Sequence, residues 1–305
     1  MQAHPLYLYA LDPTHVGAGG YRLGRVDLTI LRDASTQLPK IPGSSISGAT
    51  RSAALHMLAD DREREQAAAY AAWVLDKKKP KPAHRAEADP VASVFGYSAG
   101  EEGGSSRIGM VSFRDAEILA LPVPTMLGPR WVTTATLLER AGCKAPPRPA
   151  SEDQIFLQGD KGRQKLNLGW LLLDAECRTL PFPKPGATAP ESLKQAMEQI
   201  QRSLVVVHDN LFPALVNSNL ETRTSVSIDF ETGAAAETAL FTYEAAPRGT
   251  LYLGAVDFDD LRFRTDIARA RTLVEGALHT AGALGLGGMT TRGFGRMAVH
   301  LEAAK

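Results

Sequence analysis

A strand, a glycine-rich loop, a further apolar stretch and an amphipathic helix open the chain, and a strand, a helix, a second glycine loop and a strand close it. Between them lie proline- and charge-rich stretches. These three observations predict an α+β fold with a ferredoxin-like core that carries long insertions. The opening strand is Leu6 to Leu11, aromatic and aliphatic, and it ends at Asp12-Pro13, where proline cannot continue a ladder. The loop from Thr14 to Arg25 contains Gly17, Gly19, Gly20 and Gly24, and apolar sequence resumes at Val26. After Pro42-Gly43, the residues Ile46, Ala49, Ala53 and Met57 recur at helical spacing, and Ser44 or Ser45 stands where a serine would cap the helix.

Asp61 to Asp76 is alanine-rich and predicts another helix, whereas Lys77 to Pro90 is basic, proline-bearing and without apolar period, the pattern of an insertion. Ile108 to Leu121 carries strand-like stretches, and Lys144 to Gly162 reads as a long excursion away from the core. A second excursion spans Asn217 to Glu237. There Val226, Ile228 and Phe230 alternate with polar residues before Thr232-Gly233, the pattern of an exposed hairpin. The chain closes with a strand from Thr250 to Phe258, a helix from Asp266 to Gly282, a glycine loop from Leu284 and a strand from Arg296 to Leu301. No internal repeat of fixed period is visible.

The composition narrows the function classes. The chain has 305 residues with 44% hydrophobic and 22% charged residues, in the range of globular proteins with one large or two ordinary domains. Its longest apolar runs are too short for a membrane span, and the first ten residues lack a secretory leader's basic start and apolar core, so a cytoplasmic protein without membrane partners is expected. The two cysteines, Cys143 and Cys177, are too few and too far apart for a zinc cluster or a disulfide framework and read as packing residues. Thirty-four basic and thirty-four acidic side chains balance, so net charge neither supports nor excludes a nucleic-acid ligand. The local runs Lys77, Lys78, Lys79, Lys81 and Arg262, Arg264, Arg269, Arg271 read first as solvated faces.

Two loops could carry chemistry. The segment from Gly282 to Arg296 holds six glycines together with Thr290, Thr291 and Arg292, a composition that lets backbone amides and short polar side chains approach phosphate. It follows a helix and opens a strand, which is the reverse of a dinucleotide fingerprint, so a nucleotide pocket of that kind is disfavoured. The first loop holds His15, Arg22 and Arg25 and reaches Asp27. By themselves His15 reads as a satisfied loop histidine and Asp27 as a turn or strand-start residue, and no metal cage or nucleophile elbow completes either.

Longer blocks carry a resemblance. His15-Val-Gly-Ala-Gly, Gly24-Arg-Val-Asp27-Leu-Thr-Ile-Leu-Arg32 and Leu38-Pro-Lys-Ile-Pro-Gly-Ser-Ser-Ile-Ser-Gly-Ala-Thr-Arg51 resemble the opening of the RAMP superfamily, whose members assemble CRISPR effectors, and the closing glycine loop resembles that superfamily's C-terminal signature. Phe95-Gly96, Trp131-Val-Thr133 through Leu138-Glu-Arg140, Thr222-Arg-Thr and Thr238 through Thr250 are similar to the backbone-filament subunit of type III-B, or Cmr, effectors.

The resemblance covers nearly the whole chain and implies a single RAMP-type domain over 1–305. That domain is a ferredoxin-like, RRM-related palm with a helical lid inserted at about 59–107 and a β-hairpin thumb at about 217–237. It implies a guide (CRISPR) RNA, a complementary target RNA, further copies of the chain in a filament and other effector subunits as partners. It also implies cleavage of the target at regular intervals with a divalent metal, Mg2+ or Mn2+. Carried over by motif, the catalytic and metal-holding carboxylate is Asp27, with His15 as a further catalytic candidate. The RNA-binding set is Gly17, Arg25, Ser44, Ser45, Gly48, Arg51, Arg223, Gly287, Gly288, Thr290, Thr291 and Arg292.

Three positions depart from the family pattern. Thr29 and Leu31 stand where proline and glutamine are usual, and Ser47 replaces an expected lysine, which shifts guide binding towards Ser44, Ser45, Arg51 and the C-terminal loop. Two other readings stay open: a guide-binding filament subunit that does not cut, and a guide-precursor nuclease in which His15 acts as the base.

Overall fold

The computed structural model describes residues 2–19, 26–58, 61–75, 78, 90–97, 106–159, 162–226, 233, 241–262 and 267–304. Strand β1 (Gln2–Ala10) buries Leu6 and Leu8 completely and stops before Asp12-Pro13. The apolar stretch from Val26 forms isolated bridges rather than a strand: Gly17 to Ile30, Leu28 to Tyr243 and Arg32 to Pro39. The short β2 (Lys40–Ile41) leads into helix α1 (Gly43–His56), which buries Ile46, Ala53 and Ala54.

The expected serine cap is absent. Pro42 occupies the N-cap, Ser44 and Ser45 lie inside the first turn, and the Gly43 amide donates to Asp115 Oδ1 at 2.8 Å. A carboxylate 72 residues away thus supplies the cap, and local sequence could not show it.

The stretch read as a lid contains α2 (Asp61–Leu75), α3 (Pro90–Phe95), β3 (Gly96–Tyr97) and β4 (Arg107–Ile108), the two strands forming a small ladder of their own. Most of the proline-bearing segment 77–89, with Lys77, Lys79 and Lys81, lies outside the described residues. There follow β5 (Val111–Phe113), β6 (Ala116–Val123), β7 (Arg130–Thr134), α4 (Ala135–Arg140), β8 (Gln154–Gln158), β9 (Gly162–Leu168), β10 (Leu171–Arg178), α5 (Glu191–Arg202), β11 (Leu204–Val207), α6 (Phe212–Ser218), β12 (Glu221–Ser225), β13 (Phe241–Ala245), β14 (Leu251–Phe258), α7 (Ile267–Leu284) and β15 (Met297–Leu301).

The central sheet runs β15-β1-β14-β6 at one end, every neighbour antiparallel. With α1 after β1 and α7 before β15, and the two helices packed together, this is the βαββαβ order of a ferredoxin-like unit, as predicted. Beyond β6 the sheet continues β7-β11-β8-β10-β9, an extension inserted in sequence between β6 and β14.

Here one expectation is corrected, because the stretch from Lys144 to Gly162 is no excursion. β8 within it pairs with β10 and β11 and buries Ile155, Phe156 and Leu157. Its apolar run is short and framed by prolines and charges, and its partners come later in the chain, so the local pattern concealed a core strand. Cys143 and Cys177 form no disulfide and pack partly buried against the core. Arg262 pairs with Asp259, and Arg271 with Glu275 at 2.7 Å, while Arg264 lies outside the described residues. Among the described residues no helix is long and apolar enough to cross a membrane.

Candidate functional site

Three segments distant in sequence meet beside the end of β1. The first loop adds its backbone to β13: Thr14 and Ala246 exchange amide bonds at 2.8 and 2.9 Å, the Leu28 amide donates to the Thr242 carbonyl at 3.0 Å, and the Glu244 amide donates to Leu28 at 3.1 Å. The C-terminal glycine loop closes over the same segment, with the Gly288 amide donating to the His15 carbonyl at 2.8 Å and the Gly295 amide to Pro13 at 2.9 Å. The third segment is the two-stranded ladder of β12 and β13, in register from Glu221 opposite Ala245 to Ser225 opposite Phe241. The remainder of the hairpin read around Ile228 and Phe230 lies outside the described residues.

A small apolar cluster welds the three together. Tyr243, Ala245 and Phe294 are buried, with Leu28, Phe241 and Met289 against them. Alternation along β13 explains the arrangement, since Tyr243 and Ala245 are buried while Thr242 and Glu244 between them bond the first loop. Tyr243 meets Phe294 edge-on with centroids 5.4 Å apart.

Asp27 sits half-buried at this junction. Its Oδ2 accepts from the Thr242 amide at 2.7 Å and the Thr242 hydroxyl at 3.0 Å, and its own amide donates to that hydroxyl at 3.1 Å. These donors, the backbone amide foremost and then the hydroxyl, hold the Asp27 carboxyl below the ordinary aspartate range, so it is ionised at neutral pH. Oδ1 takes no part in these bonds. Three residues on, the Ile30 amide donates to Glu244 Oε2 at 3.3 Å and Arg32 pairs with the same carboxylate at 3.0 Å.

His15 is buried, 5% exposed. Its Nδ1 lies 2.6 Å from the Glu244 carbonyl, to which it donates, and the ring stands edge-on to Tyr243. Nε2 faces Gly17 under the glycine loop, which is the position of a packed organiser of the loop. The glycines above it answer to the same packing. Gly287 has φ +96°, and a Cβ there would stand 2.4 Å from the His15 carbonyl oxygen; Gly295 has φ +84° with the Leu286 carbonyl 2.5 Å away. The connection itself therefore demands glycine at these points, so glycine content alone says nothing of phosphate.

Polar groups on the outer side of the loop are better placed for a ligand. Thr290, Thr291 and Arg292 form a single 3-10 turn between left-handed Met289 and Gly293, with Thr291 and Arg292 exposed. The Arg292 guanidinium lies over Phe241 at 5.6 Å, and that of Arg223, bonded to Glu221, lies over Phe294 at 4.8 Å. Gly17 is exposed beside His15, and Gly288 packs on the His15 ring.

The junction thus gathers Asp27, His15, Gly17, Arg223, Gly287, Gly288, Thr290, Thr291 and Arg292. Ser44, Ser45, Gly48 and Arg51 lie on α1 and take no part in its contacts; Ser44 and Gly48 share an exposed face one turn apart. Arg25, with Arg22 and Gly24, lies outside the described residues.

Sequence reading missed Thr242, Tyr243 and Phe294 as builders of the site. The alternating Phe241-Thr242-Tyr243-Glu244 pattern was the available signal, but its partners stand more than 200 residues earlier.

Among the described residues no group of three or more His, Cys, Asp or Glu is placed to share a metal ion. Asp27 offers an ionised hard-oxygen donor whose Oδ1 lies outside the bonds to Thr242. That fits a divalent cation only if phosphate oxygens and water complete the coordination.

A family profile described as the RAMP superfamily matches residues 7–298. No curated protein sequence matches the chain. Among solved structures, a cryo-EM structure of the Type III-B Cmr-beta bound to cognate target RNA is similar at 19% identity and TM-score 0.61, covering 98% of this chain and 97% of the other. The crystal structure of oligomeric Cmr4 from Pyrococcus furiosus is similar at 20% identity and TM-score 0.56, covering 100% and 99%. A further crystal structure of Cmr4 gives 21% identity and TM-score 0.54 over the full length of both chains. At such identities the likeness establishes the fold, a ferredoxin-like palm.

Proposed function

The chain belongs to the RAMP superfamily, and from that premise we propose that it is a backbone subunit of a type III CRISPR ribonucleoprotein that holds guide RNA and cuts the target RNA paired to it. One observation carries the reading: Asp27, the hairpin root and the closing glycine loop form a single junction, with an ionised carboxylate, hydroxyls and two ring-supported arginines around it. Full-length similarity to a chain in a Cmr-beta structure bound to cognate target RNA, and to oligomeric Cmr4, supports RNA, further copies of the chain and other effector subunits as its partners in the cytoplasm.

In this reading the exposed face of α1, with Ser44, Ser45, Gly48 and Arg51, and the outer side of the glycine loop bind guide phosphates, while base pairing to the guide selects the target. Arg223 and Arg292, held on aromatic rings, present charge to the backbone at the cutting point. Asp27 is the group that would hold a divalent ion, Mg2+ or Mn2+, and the ion when bound would supply charge stabilisation at the scissile phosphate. The chain's own part is to keep that carboxylate ionised and fixed, which the Thr242 bonds do. A 2′-hydroxyl beside the phosphate would confine cutting to RNA.

The test reconstitutes the complex with guide RNA and a labelled complementary target, comparing wild type with Asp27→Ala in magnesium, manganese and chelator, with target binding read on the same samples. Regularly spaced, metal-dependent cuts that vanish in Asp27→Ala with binding intact support the reading. Binding without cutting by wild type would leave a filament subunit that only holds RNA, a reading favoured by the lack, among the described residues, of any group of three or more His, Cys, Asp or Glu placed to share a metal ion. Chelator-resistant cutting that needs His15 would indicate guide-precursor processing, against which the burial of His15 argues.

A further inference from the structure

Among the described residues Asp27 is gripped by Thr242, which belongs to the root of the hairpin. Thr242 is the second residue of β13. Its amide and hydroxyl converge on the same oxygen of Asp27, and its Oγ1 also accepts the Asp27 amide. Two donors on one oxygen prevent the carboxylate from flipping, and the return bond fixes the backbone from which it projects. Tyr243 next to it is buried against Phe294, so the position of Thr242 is set by a packed cluster; Glu244 then holds Ile30 and Arg32 further along the same loop.

We propose that Thr242 is the positioning residue for Asp27: it fixes the orientation of the carboxylate and ties that orientation to the root of the hairpin. The inference rests on the reading of Asp27 as the cleavage-site carboxylate. It deepens that reading by naming how the carboxylate is aimed, and it implies that whatever displaces the hairpin also displaces Asp27. A hydroxyl is required at 242. Valine would keep the β-branched shape that suits a strand yet lose both side-chain bonds, and serine would keep them.

The experiment uses the assembled complex with guide and labelled target, comparing wild type, Thr242→Val, Thr242→Ser and Asp27→Ala in single-turnover cleavage at saturating target. Target affinity is measured alongside, and hydrogen exchange of the peptide carrying residues 26–32 is followed in the isolated chain. Thr242→Val is expected to cut roughly tenfold to a hundredfold more slowly, the scale of a misplaced catalytic group, with target affinity unchanged and faster exchange at the Asp27 amide. Thr242→Ser is expected to match wild type in all three measurements.

Cutting by Thr242→Val at the wild-type rate, with Asp27→Ala inactive, would leave Asp27 in place and overturn the role of Thr242. Equal slowing by valine and serine would show that packing rather than the hydroxyl matters, and would overturn it as well. Wild-type cutting by Asp27→Ala would remove the parent reading and this inference with it.

Discussion

The loop junction and the exposed face of α1 both carry polar residues proposed to meet RNA, yet they are built in opposite ways. At the junction almost every group is already engaged within the chain: Asp27 with Thr242, Glu244 with Arg32 and Ile30, His15 with the Glu244 carbonyl, Arg223 with Glu221 and Phe294. On α1, Ser44 and Gly48 are exposed and nothing stands within 4 Å of a Cβ built on Gly48. A surface that only grips a polyanion can be left open and short-chained. One that must aim a single carboxylate has to be assembled from distant segments and locked. Substitutions at the junction should therefore disturb folding and chemistry together, while those on α1 should separate binding from stability.

The largest effect is expected at Phe294, fully buried between Tyr243 and Arg223. Phe294→Ala should cost about 3–5 kcal/mol of stability in a denaturant titration. A loss under 1 kcal/mol would mean that the cluster does not weld the three segments. Next comes Gly287→Ala. A left-handed backbone and a carbonyl 2.4 Å from the new Cβ should cost about 2 kcal/mol or more and lower the melting temperature. An unchanged melt would show that the loop shifts freely off His15.

On α1 the comparison sharpens. Arg51→Ala and Ser44→Ala should stay within about 0.5 kcal/mol of wild type in stability. Each should nevertheless weaken guide-RNA binding, and for Arg51→Ala the dependence of affinity on salt should become shallower by about one counterion. Unchanged affinity in both would remove α1 from the guide path.

The smallest effect concerns the pair that closes the base of the junction, Asp12 with Arg296 at 2.5 and 3.0 Å. The Arg296 hydrogen bonds hold the Asp12 carboxyl below its ordinary range. A depressed carboxylate stabilises the fold above its unfolded value, and that contribution is lost as pH falls through the folded value. Asp12→Asn should then be less stable than wild type at neutral pH by no more than about 1 kcal/mol, because Arg296 is largely exposed. The gap should close in acid, and a gap that persists there would indicate lost packing rather than lost charge.

The sequence by itself determined the ferredoxin-like unit. The aromatic and aliphatic run of β1, the apolar stretch of β14, helical period in α1 and α7 and proline just past the end of β1 are local consequences of backbone sterics and burial, readable within a dozen residues. It also located the first loop and the glycine loop, although it read the glycines as an opening for phosphate where packing on His15 already requires them. Only the tertiary structure decided that β8 is a core strand, that Asp115 caps α1, and that Thr242 rather than any neighbour in sequence holds Asp27. Each of these depends on a partner tens to hundreds of residues away. Hydrogen bonds and side-chain burial are satisfied across the folded surface, and the pattern of residues beside Asp27 carries no trace of which strand will arrive to meet it.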